Sequence, residues 1–161
     1  MIIINTKADL NSSFFLKNLG EITEINGMLN LEFCVALETL GDLNFVNGDL
    51  FISKCPLLTT LNLLKNVNGN VYIRECDLLN SLGALENIQG NLFLRRAVSL
   101  TSVGNVKHIN GQLDLSYCPL VTDLGNIETI GGTIYLKGSG ITEQYIATQK
   151  PQFLEQANWY F

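Results

Sequence analysis

Six glycines, Gly27, Gly48, Gly69, Gly90, Gly111 and Gly132, follow one another at a constant interval of 21 residues. A fixed period of this length marks a chain built from stacked units, none of which buries its own apolar edge alone. Aligned on that glycine, six columns hold only Leu, Ile or Val. Ile25, Val46, Val67, Ile88, Ile109 and Ile130 stand two residues before it. Leu29, Leu50, Val71, Leu92, Leu113 and Ile134 stand two after, and Leu31, Ile52, Ile73, Leu94, Leu115 and Leu136 four after. Three further columns, beginning at Leu16, Leu19 and Ile22, follow at three-residue steps. Chance does not fill 36 positions in this way.

The apolar pair around the central exposed position has period two, so each unit contains a short strand with alternate residues inside. The expected strands are 28–32, 49–53, 70–74, 91–95, 112–116 and 133–137, stacked as one parallel sheet. At a rung spacing of ~4.8 Å, six of them make a rod about 25–30 Å long. The three-residue steps suit tight turns or 3₁₀-like segments better than a long helix. Asn or Gln precedes the repeating glycine in most units, as in Asn47 before Gly48 and Gln89 before Gly90. Such pairs tolerate positive φ and mark a turn before each strand. No glycine-rich strand-to-helix junction follows, so these are not phosphate-cradling loops.

Leu92, Phe93, Leu94, Arg95, Arg96 and Ala97, with their equivalents in other units, match the L-x-L-x-x-N/C segment of leucine-rich repeats. The chain resembles a leucine-rich-repeat protein, and among these the receptor L-domain-like repeats, over residues 16–140. The resemblance implies a right-handed solenoid and protein recognition, and it transfers no catalytic residue. The expected organisation is a single domain, 1–161, with a short N-terminal cap at 1–15, six stacked repeats at 16–140 and a helical C-terminal cap at 141–161. Open ends of a stack need cover. Ile2, Ile3, Ile4, Phe14 and Phe15 supply apolar residues at one end. At the other, Thr142 is placed to N-cap a short helix with Glu143 at its positive end. Pro151 ends that helix and opens another over 151–158, with Ile146, Phe153, Leu154, Trp159 and Phe161 over the last rung. A C-terminal docking peptide at Trp159, Tyr160 and Phe161 is the alternative use of those residues.

Cys34, Cys55, Cys76 and Cys118 share one column, with Ala97 in the missing place. Metal ligands converge on a point, whereas these thiols are spread along a rod, so buried free thiols are expected and no metal or cofactor site. His108, the only histidine, reads as a surface turn residue. No nucleophile–base pair or phosphate-binding motif is present, so no enzymatic activity is expected.

Forty-seven per cent of the 161 residues are hydrophobic and 16% are charged, which excludes a disordered chain. A net charge of −5 lacks the basic footprint of a nucleic-acid binder. No apolar run approaches the ~18 residues of a membrane span. Met1 to Asn5 lacks the basic start of a signal peptide, so the expected location is cytoplasmic.

Strand alternation leaves Asn30, Phe51, Tyr72, Phe93, Asp114 and Tyr135 as the central outward column. Glu32, Ser53, Arg74, Arg95, Ser116 and Lys137 flank it on one side, and Met28, Asp49, Asn70, Asn91, Gln112 and Thr133 on the other. Residues 51–107 hold six basic and three acidic side chains, a net charge of +3 in an otherwise acidic chain. Contiguous exposed aromatics beside Arg have the chemistry of interface hot spots. Phe51, Tyr72, Phe93, Tyr135, Arg74 and Arg95 are therefore the candidate binding residues, for an acidic protein partner steered by charge. The same face also suits a small phosphorylated ligand, and the aromatic column equally suits plain stabilisation of the sheet. A self-assembling structural subunit is the third reading.

Overall fold

The computed structural model describes residues 1–159. It is a parallel β-solenoid of about seven turns. Two parallel sheets run its length, rather than the single sheet expected. Among the described residues, one has eight strands: Ala8–Asp9, Leu29–Asn30, Leu50–Ser53, Val71–Arg74, Leu92–Phe93, Leu113–Asp114, Ile134–Tyr135 and Ala157–Asn158. The other has seven: Ile2–Ile4, Ile22–Ile25, Phe45–Val46, Asn66–Val67, Asn87–Ile88, His108–Ile109 and Thr129–Ile130. The strands are shorter than the five-residue segments expected, and the second sheet lies just before each glycine corner. His108 accordingly stands in a strand rather than a turn, with Nδ1 3.0 Å from Thr129 Oγ1.

The register is that of the repeat. Leu50 pairs with Val71, Leu92 with Leu113, and Val46 with Val67. The six apolar columns converge on one core running along the axis, from Leu19 to Leu136. The three-residue leucine steps form isolated turns closed by i to i+3 bonds. Leu64 N–H donates to Leu61 C=O at 3.2 Å, and Leu85 to Leu82 at 3.2 Å.

The repeating glycines do not carry positive φ, contrary to the expectation drawn from the Asn-Gly pairs. Their role is close approach: a Cβ on Gly48 would lie 2.7 Å from the Gly27 carbonyl carbon. Each corner rests directly on the corner of the preceding turn, and only hydrogen fits between. A second column, Gly20, Gly41, Gly83, Gly104 and Gly125, does carry positive φ, and Asn62 (φ 54°) takes the same place in its turn.

The N-terminal segment is a further turn of the stack rather than a separate cap. Ile4 pairs with Ile25 and Ala8 with Leu29, at the repeat distance. Thr6 stands in the place of the repeating glycine in this turn. Phe14 and Phe15 are exposed and do not join the core, so they are not the apolar cover expected of them.

At the other end Thr142 N-caps helix α1 (Glu143–Gln149), its hydroxyl accepting from Tyr145 N–H at 3.1 Å. The second helix is a 3₁₀ segment, Pro151–Gln156, followed by the strand Ala157–Asn158 rather than by continued helix. Ile146 and Phe153 are buried over the last turn and Trp159 packs against the core, whereas Leu154 is exposed. Tyr160 and Phe161, assigned to the cap or a docking tail from sequence, lie outside the described residues. The cap also supplies polar partners. Lys150 Nζ donates to Ile127 C=O at 2.8 Å, and Gln156 Nε2 to the carbonyls of Ile130 (2.8 Å) and Gly132 (3.2 Å). In earlier turns such carbonyls receive the amides of the next coil, as Ile109 does from Gly131 and Gly111 from Gly132. No helix among the described residues is long and apolar enough to cross a membrane.

Candidate functional site

The eight-stranded sheet buries Leu50, Ile52, Val71, Ile73 and Leu92 on its inner face, so Phe51, Tyr72 and Phe93 point outward from successive rungs. Their rings stack. Phe51 and Tyr72 have centroids 4.8 Å apart with planes 6° from parallel, and Tyr72 and Phe93 are 5.2 Å apart at 19°. Stacking hides the inner ring faces and leaves all three side chains half-buried. Along its length the column offers solvent ring edges, which are positive relative to the faces, and only the outer faces of Phe51 and Phe93 lie outside the stack.

Short polar residues bound the stack at both ends. Asn30 Oδ1 accepts from Glu32 N–H at 3.0 Å, and Asp114 Oδ1 from Ser116 N–H at 2.8 Å. Each side chain is folded back onto its own strand. Tyr135, two rungs beyond Phe93, is consequently outside the stack.

The flanking columns differ in availability. On one side the polar groups bond to one another: Asn70 Nδ2 donates to Asp49 Oδ1 at 3.0 Å, and Asn91 Nδ2 to Asn70 Oδ1 at 2.8 Å. Asn91 Oδ1 then accepts from Gln112 N–H at 2.7 Å. This amide ladder is occupied in holding the sheet. On the other side Arg74 and Arg95 are exposed, and neither has a carboxylate partner among the described residues. Arg95 lies over the Tyr117 ring, 5.5 Å from its centroid, and Lys137 Nζ lies 6.0 Å from the same centroid. Just before strands of the seven-stranded sheet, Lys65 and Lys107 both reach Glu86 at 3.7 Å. Cationic charge is compensated there and uncompensated beside the aromatic stack.

An open cleft of about 390 Å³ brings together five of the six candidate residues, Phe51, Tyr72, Phe93, Arg74 and Arg95, with Glu32 and Asp114 at its ends. Tyr135 lines a neighbouring cleft of about 320 Å³ that shares Phe93, Arg95 and Asp114 and adds Lys137.

One column went unread in the sequence. Phe33, Lys54, Glu75, Arg96 and Tyr117 all adopt positive φ between 55° and 63°, turning the chain out of the eight-stranded sheet. Their side chains, with Val35, Pro56 and Val98, line a third cleft of about 640 Å³. Arg96 also joins Arg74 and Arg95 around a smaller one of about 210 Å³. The column varies freely in type, so composition gives no sign of it; the only hint is Gly138 in the same place of the last turn.

The cysteine column is buried and unbridged. Sγ of Cys34, Cys55 and Cys118 donates to the carbonyls of Leu10 (3.2 Å), Leu31 (3.1 Å) and Leu94 (2.9 Å) in the preceding turn. Burial pushes the Cys34 thiol up and the Cys118 thiol up to about 11; a hydrogen bond with Cys76, together with burial, pushes Cys55 up. Cys34, Cys55 and Cys118 therefore lack the lowered ionisation of a reactive cysteine, whereas the same hydrogen bond with Cys55 lowers that of the buried Cys76. No protein-family model, curated protein or solved structure matches this chain.

Proposed function

We propose that the chain is a non-enzymatic recognition module of the leucine-rich-repeat type, akin to receptor L-domain-like repeats, that binds an acidic protein surface through Phe51, Tyr72, Phe93, Arg74 and Arg95. The observation that carries this reading is the uncompensated charge of Arg74 and Arg95 alongside a rigid, half-buried aromatic stack. Arg and aromatic anchors on a preordered surface bind at low entropic cost. The cleft is open to solvent, which suits a protein partner more than an enclosed small molecule.

Affinity capture from the native host with wild type and with Tyr72→Ala/Arg95→Ala tests it. The wild type retains a partner that high salt releases, and the double variant loses it, since anchors of these types are each commonly worth about 2 kcal/mol or more. The variant keeps its fold, with loss of ladder packing of about 0.2–1 kcal/mol per pair. Full retention of the partner by a folded double variant places recognition elsewhere.

A further inference from the structure

We propose that Asp114 marks a notch in the aromatic ladder that receives one tyrosine or tryptophan side chain from an acidic segment of the partner. This rests on the reading that the ladder face recognises an acidic protein.

Phe93, Asp114 and Tyr135 occupy the same register on three consecutive rungs. Phe93 and Tyr135 are thus separated by two spacings, about 9.6 Å. The stacked rings of this column stand 4.8 and 5.2 Å from their neighbours. One further ring at ladder spacing therefore fits between Phe93 and Tyr135. Phe93 has one face against Tyr72, and its other face looks toward this place.

The floor and rim are chemically specific. Asp114 Oδ1 is held by Ser116 N–H at 2.8 Å, which keeps the side chain low and the notch open. Oδ2 receives no bond from the protein among the described residues. A carboxylate oxygen at the base of an aromatic slot calls for an O–H or N–H at the inserted ring's edge, which tyrosine and tryptophan have and phenylalanine lacks. Arg95 and Lys137 stand at the rim over Tyr117 with no carboxylate partner among the described residues. They favour acidic residues on either side of the inserted ring.

The test is an NMR titration of ¹⁵N-labelled protein with a capped acidic peptide containing a single tryptophan, with its leucine counterpart, and with AMP. The tryptophan peptide is expected to shift the amides of Phe93, Asp114 and Tyr135, and the leucine peptide to bind about tenfold more weakly. Asp114→Phe fills the notch from within, so it should abolish the preference for tryptophan and raise the melting temperature. Should that variant fail to fold, Tyr135→Leu removes one wall and is expected to lose the same preference. Equal binding of the two peptides, a preference surviving in folded Asp114→Phe, or AMP binding more tightly than the peptide overturns the proposal. Equal binding that disappears in Tyr72→Ala/Arg95→Ala overturns the notch alone. Absence of any shift on the sheet face overturns the notch and the underlying reading together.

Discussion

Glycine does two separate jobs in this chain, and they have different costs. At Gly104 (φ +60°) a Cβ would meet nothing within 4 Å, so the glycine serves only the left-handed backbone. At Gly48 the backbone is ordinary, but a Cβ would lie 2.7 Å from the Gly27 carbonyl carbon. Gly104→Ala should therefore cost about 1 kcal/mol, the left-handed penalty less the gain from a stiffer unfolded chain. Gly48→Ala should cost about 2–3 kcal/mol, because two backbones must separate along the stack. Urea denaturation of the two variants decides this; equal costs would remove the distinction. The 21-residue spacing exposed the Gly48 column but not its purpose, because the crowding atoms belong to the previous turn. The buried thiols make a second residue-scale prediction. Cys118 has its ionisation raised from an ordinary 9.0 to about 11, so the native state resists losing that proton. Its contribution to stability is complete below pH 9 and declines as pH rises through 11. Urea melts between these values should show a steeper fall in wild type than in Cys118→Ala, a residue the column already accepts at Ala97. Parallel slopes would contradict the assignment.

Each turn of the solenoid is held more by its neighbours than by itself. Leu82 is 2% exposed and lies between Leu61 and Val103 in the same core column. Leu82→Ala should cost about 2–5 kcal/mol as a cavity in a packed stack, measured by denaturant melts. A loss under about 1 kcal/mol would mean that the column is more loosely packed than Leu61, Leu82 and Val103 indicate. At this scale the sequence was partly transparent. The outward Phe51, Tyr72 and Phe93 and the inward Leu50 and Ile52 alternate, so the ladder sheet was readable. The second sheet was not, because pairs such as Phe45–Val46 and Asn66–Val67 are too short to show a period of two. The split of the six candidates also escaped sequence reading. Tyr135 shares a column with Phe51 and Asp114 stands between them in the sequence, but the ring spacings are what confine the stack to Phe51, Tyr72 and Phe93.

Among the described residues the last turn of the stack is closed by side-chain hydrogen bonds, and the first turn presents its strands as sheet edges. At the C-terminal end the carbonyls of Ile130 and Gly132 receive the Gln156 side-chain amide in place of a next coil. At the N-terminal end the strands Ile2–Ile4 and Ala8–Asp9 are the outermost members of their sheets, and Ile2 and Ile3 are exposed. In a stack whose turns contact only their neighbours, stability is a sum of local contributions, so protection should vary along the axis. Native-state hydrogen exchange is expected to be slowest in the central turns, near Val67 and Ile88, and fastest in the first turn. Gln156→Leu removes both donors to the last corner while keeping the volume of the side chain. It should lower the exchange free energy of Gly132 and its neighbours by about 1–2 kcal/mol and leave the turns around Leu61 unchanged. A uniform loss of protection from end to end would show instead that the solenoid opens as one cooperative unit. In that case the cap acts on every turn through the continuous leucine core, and its hydrogen bonds set global rather than local stability.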